Sequence, residues 1–214
     1  MIDNKKLAEI RGKYSEYQLN KSNISKDPYK QFSLWMDEVL KMKIIEPNAM
    51  VLATSDENNF PSARVVLLKE VKEGKFIFYT NYESKKGHDL SVNPKASLLF
   101  FWRELGRQIR ISGTITKTTK EESENYFTSR PYESQISAWA SKQSSIITNR
   151  KFLDDKFKEI KTKYTEKIPL PSFWGGYKLL PNRFEFWQGR ENRLHDRIAY
   201  ISENDSWKIV RLSP

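Results

Sequence analysis

Cysteine is missing from all 214 residues, which removes disulfides, thiolate metal sites and cysteine nucleophiles. Histidine occurs only twice, at His88 and His195, too few for a histidine-rich zinc or iron centre. Glycine is scarce, with eight residues. Neither GxGxxG nor GxxxxGK followed by Ser or Thr occurs, so the usual dinucleotide and P-loop fingerprints are absent. The longest purely apolar run, Leu98 to Trp102, is far shorter than a membrane span. The N-terminal MIDNKKLAEIRGKY holds no apolar signal core. A soluble cytoplasmic protein with no metal and no membrane partner is the expectation.

What the chain does have is aromatic mass and positive charge. Six Trp, ten Tyr and twelve Phe supply ample apolar surface for one substantial core, unlike a disordered chain. Thirty-seven basic against 27 acidic residues leave a net charge of +10. Such a balance suits nucleic acid, anionic lipid or phosphorylated small molecules. The Lys and Arg are dispersed, often beside Glu or Asp, and no long basic run marks a nucleic-acid partner.

Residues 1–28 are polar and read as a mobile N-terminal arm, with 29–214 as a single domain. Phe32, Trp35, Met36, Val39 and Leu40 recur at i, i+3, i+4, i+7, i+8 and predict a helix over 30–43. The period then becomes strand-like. AMVLATS (49–55), SARVVLLKEV (62–71), KFIFYT (75–80), ASLLFFW (96–102) and RQIRISGTIT (107–116) predict strands separated by short turns. Ser84 caps a short helix ending at Asn93-Pro94. Thr119 and Glu122 form a capping box opening a helix through Phe127. Helical stretches follow at 134–141 and 149–164. Tyr177–Leu180, Arg183–Trp187, Arg197–Ile201 and Trp207–Leu212 predict closing strands. Short turns between consecutive strands favour antiparallel pairing, hence a mainly β barrel or sandwich with peripheral α-helices.

Four clusters combine cations with hydroxyls. In Arg64-Val65-Val66-Leu67-Leu68-Lys69, alternation puts Arg64 and Val66 on one face and Lys69 with Val65 and Leu67 on the other. Tyr79-Thr80-Asn81 precedes Ser84-Lys85-Lys86-Gly87, where helix N–H groups and two Lys suit a phosphate. Tyr126 and Arg130 share a helix face, with Ser134 just beyond Pro131. In extended geometry Arg193, His195 and Arg197 line one face, and Asp196 points away from His195. No hydrolytic triad or distinctive carboxylate pair stands out. Cation plus hydroxyl is the chemistry of phosphate capture, and two such clusters predict two phosphorylated small molecules in one site.

The segments RVVLLK, FYTNYESKKGHDL, YFTSRPYESQISAWASKQSS, PLPSFWGGYKLLPNRFEFWQG, RLHDR and WKIVRLSP closely resemble the pyridoxine (pyridoxamine) 5′-phosphate oxidase family. The resemblance runs from about Arg11 to Pro214. SRPxxSQIxAWxSxQS, FWQGxxxRLHDR and an RLxP ending follow in order at family-like spacing. It implies an antiparallel FMN-binding split β-barrel and a homodimer with active sites at the subunit interface. It also implies oxidation of pyridoxine 5′-phosphate or pyridoxamine 5′-phosphate to pyridoxal 5′-phosphate, by hydride transfer to flavin N5 and reoxidation by O2 giving H2O2.

Carried over by position, Arg64 and Lys86 hold the FMN phosphate, with Lys85 and Ser144 nearby. Val65, Val66, Leu67, Leu68, Tyr79 and Thr80 line the flavin; Gln108, Gln143, Trp187 and Arg197 complete its contacts. Lys69 borders both ligands. With Tyr126, Arg130 and Ser134 it matches the substrate phosphate set. Arg193 and His195 match the catalytic pair beside the pyridine ring. Arg11 and Tyr14 match a lid over the substrate. Departures are Glu46 where Asp is frequent, Lys85 for a frequent Arg, and Gly12 inside the lid. A related split-barrel flavoprotein with another substrate, a non-catalytic FMN carrier and a nucleic-acid-binding module are the competing expectations.

Overall fold

A computed structural model describes Glu9 and residues 17–214. The chain divides into two compact units. One takes the chain up to Pro47 with Phe100–Arg110 and Arg183–Pro214; the other takes Asn48–Leu99 and Ile111–Asn182. No helix among the described residues is long and apolar enough to cross a membrane.

The second unit is built on antiparallel pairing. Strand β1 (Ala49–Ser55) pairs with β2 (Pro61–Leu67), placing Leu52 opposite Arg64, and with β5 (Lys95–Trp102), placing Val51 opposite Leu99. Strand β3 (Glu70–Lys72) turns into β4 (Lys75–Asn81) through Glu73 and Gly74. Both have positive φ (49° and 70°), the backbone of the tight hairpin turns that match strand twist. With β6 (Arg107–Lys117) and β7 (Trp174–Gln188), the strands run in the order β2-β1-β5-β6-β7-β4-β3. Burial alternates along β1 and β6, as expected for strands with one face in a core.

Two helices of this unit start at the caps the sequence marks, whereas the helix expected from 134 starts at Tyr132. Ser84 caps α2 (Lys85–Val92) by accepting from the Gly87 amide. Thr119 and Glu122 close a reciprocal capping box on α3 (Lys120–Ser129). Pro131 forces Arg130 out of the helix, to ψ 150°, before α4 (Tyr132–Ala140) begins. Asn149 caps the helix Arg150–Lys163, α5.

In the first unit, Asp27 caps helix α1 (Pro28–Lys41) by accepting from the Tyr29 amide. Phe32 meets Phe100 at 5.3 Å and Trp35 meets Phe186 at 5.2 Å, both edge-on. Each fully buried ring of this size contributes about 1.5–3 kcal/mol. The far end of β7 pairs with β8 (Asp196–Glu203), and β8 with β9 (Ser206–Leu212).

Three local expectations are corrected. Leu40 is exposed, so the apolar stripe of α1 is narrower than its spacing suggests. The segment 62–71 is two strands: β2 ends at Leu67, Leu68 turns into the core, and the Lys69 amide donates to Ile77 O. The expected pair Tyr177–Leu180 and Arg183–Trp187 is one strand running through Pro181. Pairing with β4 ends at Leu179 and pairing with β8 begins at Arg183, so the proline falls where its missing N–H is not needed on that side.

Candidate functional site

A cavity of about 950 Å³ opens in the second unit, at the upper end of the range for small-molecule sites. Strand β2 forms one wall from Ser62 to Leu67, the end of β4 supplies Tyr79 and Thr80, and the start of α2 supplies Lys85 and Lys86. Tyr126, Arg130 and a face of α4 close the other side.

The first cation cluster is not uniform. Arg64 donates to Leu52 O (3.0 Å) and Thr54 Oγ1 (2.8 Å) and lies 3.7 Å from the Asp89 carboxylate. Lys85 Nζ lies 2.7 Å from Asp89 and 3.4 Å from Asp56. Burial opposes ionisation of Asp89, but hydrogen bonds from Lys85 and Thr54 outweigh it and keep its pKa low.

Lys86 differs: its buried ammonium donates to Thr80 Oγ1 (3.1 Å), Ser84 Oγ (2.9 Å) and Gln143 Oε1 (2.6 Å). None of these oxygens is charged. Burial, and then the nearby Arg64, push the Lys86 pKa down to about 8. Ser144 sits beside it with φ 71° and its hydroxyl accepts from the Lys85 amide (3.2 Å). A left-handed backbone at a non-glycine residue costs about 1–2 kcal/mol. At Gly87 an added Cβ would lie 1.9 Å from Tyr82 O, so only glycine lets α2 start this close to β4.

The second cluster is built on aromatics. Tyr79 and Tyr126 stack at 3.9 Å and 14°. Trp174 lies parallel to both, at 5.7 Å and 12° from Tyr79 and 6.2 Å and 2° from Tyr126. The Arg130 guanidinium lies over the Trp174 ring at 4.7 Å. Its Nη1 is buried and has no hydrogen-bond partner. Burial lowers the Arg130 pKa, partly opposed by Tyr126. Burial, then Glu70, pushes the Tyr79 hydroxyl up to about 12, so it stays protonated.

The cavity therefore collects Arg64, Val65, Val66, Leu67, Lys69, Tyr79, Thr80, Lys85, Lys86, Tyr126, Arg130, Ser134, Gln143 and Ser144. Arg64 and Lys69 line it together, because the break after Leu67 releases Lys69 from strand alternation. Leu68 is core and does not line it. Ser137, Ser141 and Trp174 line it without having been singled out in the sequence. Ser134, Ser137, Ala138 and Ser141 recur at i, i+3, i+4, i+7, a small-residue helix face that was readable.

Gln108, Trp187, Arg193, His195 and Arg197 belong to the first unit. The extended geometry expected for 193–197 is corrected. Glu191–Arg193 form a short 3-10 turn in which Asn192 (φ 54°) and Arg193 (φ 60°) are left-handed, and β8 starts only at Asp196. The Arg190 amide donates to His195 Nδ1 at 3.0 Å. Nδ1 therefore carries no proton, and the neutral ring bears it on Nε2. Burial, then Arg193, lowers the His195 pKa. The ring packs on Trp187 at 4.6 Å. Asp196 accepts from the Leu19 amide and from Arg211 rather than from His195. Arg197 pairs with buried Glu185 (2.8 Å) and donates to Ser213 O (2.7 Å). Arg11 and Tyr14 lie outside the described residues. No group of three or more His, Asp or Glu among the described residues is placed to hold a metal.

Two family profiles match the chain. One, described as pyridoxamine 5′-phosphate oxidase, spans residues 36–164; the other, the pyridoxine 5′-phosphate oxidase C-terminal dimerisation region, spans 174–214. The chain is 51% identical over 211 residues to the pyridoxine/pyridoxamine 5′-phosphate oxidase of Burkholderia thailandensis, covering 97% of this chain and 99% of that one. Its fold is similar to PhzG from Burkholderia lata 383, solved in complex with tetrahydrophenazine-1-carboxylic acid. That match has TM-score 0.88 and 28% identity, and covers 95% and 100% of the two chains. A pyridoxamine 5′-phosphate oxidase-related, FMN-binding protein from Nostoc punctiforme shares the fold at TM-score 0.71 and 14% identity, covering 89% and 99%. The antiparallel architecture is that of the split-barrel flavoproteins.

Proposed function

This chain belongs to the pyridoxamine 5′-phosphate oxidase family, and from that premise we propose that it oxidises pyridoxine 5′-phosphate or pyridoxamine 5′-phosphate to pyridoxal 5′-phosphate, using FMN and O2. One observation carries this reading. A single cavity is lined by Lys86, which is buried, and Arg130, whose Nη1 is buried, neither with a carboxylate partner among the described residues. Burying cationic nitrogen without an anion is costly, and two such positions in one cavity fit two phosphate-bearing ligands.

The residues fit FMN. Lys86 and Arg64 take its phosphate, with Lys85 and Ser144 beside them. Val65, Val66 and Leu67, with Tyr79 and Thr80, supply the wall for its ring, and Gln143 adds a polar contact. Gln108, Trp187 and Arg197 complete the cofactor set, and the reading has them act in a homodimer, consistent with the dimerisation region matched by residues 174–214. When bound, FMN supplies a two-electron acceptor whose electrons pass on to O2 and give H2O2.

The chain's own work is positioning. Lys69, Tyr126, Arg130 and Ser134 hold the substrate phosphate. Arg193 and His195 flank the pyridine ring, with His195 donating from Nε2. Arg11 and Tyr14 close over the bound substrate and exclude water. No strong acid or nucleophile is required, because holding the reacting carbon in place supplies much of the rate.

A second reading, a related split-barrel oxidase with another substrate, rests on the likeness to PhzG, since Arg130 would also receive a carboxylate. The visible spectrum separates the two. With pyridoxine 5′-phosphate added under anaerobic conditions, the flavin band of the FMN-loaded protein is expected to bleach and to return on admitting air. A flavin band that persists sinks the substrate assignment and leaves the second reading.

A further inference from the structure

The Arg130 guanidinium has no carboxylate partner among the described residues. It follows α3 directly, and Pro131 fixes its backbone as extended. Its Nη1 is buried without a hydrogen-bond partner. A long side chain that must be fixed before it can hold a ligand costs rotamer entropy. What restrains it is a flat surface: the Trp174 indole beneath the guanidinium at 4.7 Å, with the Phe127 ring at 5.7 Å.

We infer that Trp174 is a positioning residue for anion capture: its ring fixes the plane of the Arg130 guanidinium while leaving its Nη1 donors uncommitted. The distinction from an ion pair is geometric. A carboxylate would occupy the donor fork edge-on and neutralise it. An aromatic face holds the cation from below, through its quadrupole, and consumes none of the five donors.

Trp174 is itself fixed. Its amide donates to Pro171 O at 3.1 Å, it pairs with Asn81 across β4 and β7, and its plane is within 2° of Tyr126 and 12° of Tyr79. Gly176, two residues along the same strand, lets this stack sit against it, since a Cβ there would lie 2.6 Å from Thr118 Cγ2 and 2.8 Å from Tyr79 Cε1. Tyr126 and Arg130 are read above as direct ligands of phosphate; Trp174 acts through Arg130.

This inference deepens the proposed function, so its test uses a probe that does not depend on the vitamer. Inorganic phosphate binding to the FMN-loaded protein is titrated by phosphorus NMR, alongside pyridoxal 5′-phosphate and pyridoxal by calorimetry. Trp174→Leu is expected to weaken phosphate and pyridoxal 5′-phosphate by about 10-fold and to leave pyridoxal within about 2-fold. Trp174→Phe keeps a ring and guards against a folding failure; it is expected to lose only about 2–3-fold. In an Arg130→Met background, Trp174→Leu is expected to cost less than about 2-fold further, the non-additivity of residues acting through one another. Equal weakening of pyridoxal, a full additional loss in the Arg130→Met background, or no Arg130-dependent phosphate binding by the parent protein each overturns the inference. If phosphate behaves as expected while pyridoxal 5′-phosphate does not bind, Trp174 keeps its role and the vitamer assignment falls.

Discussion

Replacing Lys86 with Met is expected to weaken FMN binding by about 100-fold or more, the usual scale for removing one partner of a buried charge-assisted contact. The same substitution should remove most of the alkaline pH dependence of that binding. Lys86 has a pKa near 8 in the free protein because burial, then Arg64, disfavours its charge. A phosphate monoester, with a second pKa of about 6, is dianionic throughout the relevant range and pulls the Lys86 pKa back up. Ligand binding therefore takes up a proton above pH 8. Affinity is full below pH 8 and falls above it, by about 30-fold between pH 7 and 9.5. The stability of the free protein has the opposite sign at this site. Between about 8 and the ordinary value of 10.5, the folded state binds fewer protons than the unfolded chain, so stability rises with pH. Fluorescence titration of FMN against parent and Met variant from pH 7 to 9.5 checks the affinity and its pH dependence, and denaturant unfolding of the free protein over pH 8 to 10.5 checks the stability. The same alkaline weakening in the variant would locate the titrating group elsewhere.

Arg130→Met is expected to separate function from stability. KM for the phosphorylated substrate should rise by about 100-fold or more, since a charged ligand loses its charged partner. The protein itself should become more stable. A buried Nη1 without a partner carries a desolvation cost of about 1–3 kcal/mol. Met keeps an unbranched stem and a polarisable sulfur that packs well on an aromatic face. A gain of about 1 kcal/mol corresponds to a Tm increase of about 2–4 °C for a chain of this size. Thermal unfolding and steady-state kinetics on the same preparation decide the matter: a lower Tm with unchanged KM would make Arg130 a structural residue instead. The trade belongs to a wider pattern in which binding sites retain arrangements that the fold alone would discard.

The sequence was most legible where structure is local. The Ser84 cap and the Thr119–Glu122 box stand where the residues predict, because a cap is decided within four positions. Strand β1 is found with its expected bounds. Legibility failed where a distant partner decides. The break after Leu67 depends on Ile77 accepting from the Lys69 amide, and alternation alone put Arg64 and Lys69 on opposite faces. The continuity of β7 through Pro181 depends on where β4 and β8 stop and start. The left-handed turn at Asn192 and Arg193 contradicts the extended reading, and neither residue is a glycine that would have announced it. In the cavity, charge and hydroxyl content were visible along the chain. Which cations are already neutralised was not: Asp89 serves Lys85 and Arg64 but not Lys86, a distinction that exists only in three dimensions.

The hydrogen bond from Arg190 to His195 has a consequence for how this site tolerates change. Its donor belongs to the main chain, so the path of the loop helps to decide where the imidazole keeps its proton. Position 190 can drift among nineteen amino acids without erasing it, and proline alone deletes the donor. Nitrogen-15 NMR should accordingly find the Nε2–H form of His195 in the parent and in Arg190→Ala, and lose it in Arg190→Pro; loss in the alanine variant would assign the choice to the guanidinium. A feature carried by the backbone in this way is inherited with the fold, and substitution reaches it only by removing the N–H, as proline does, or by bending the chain.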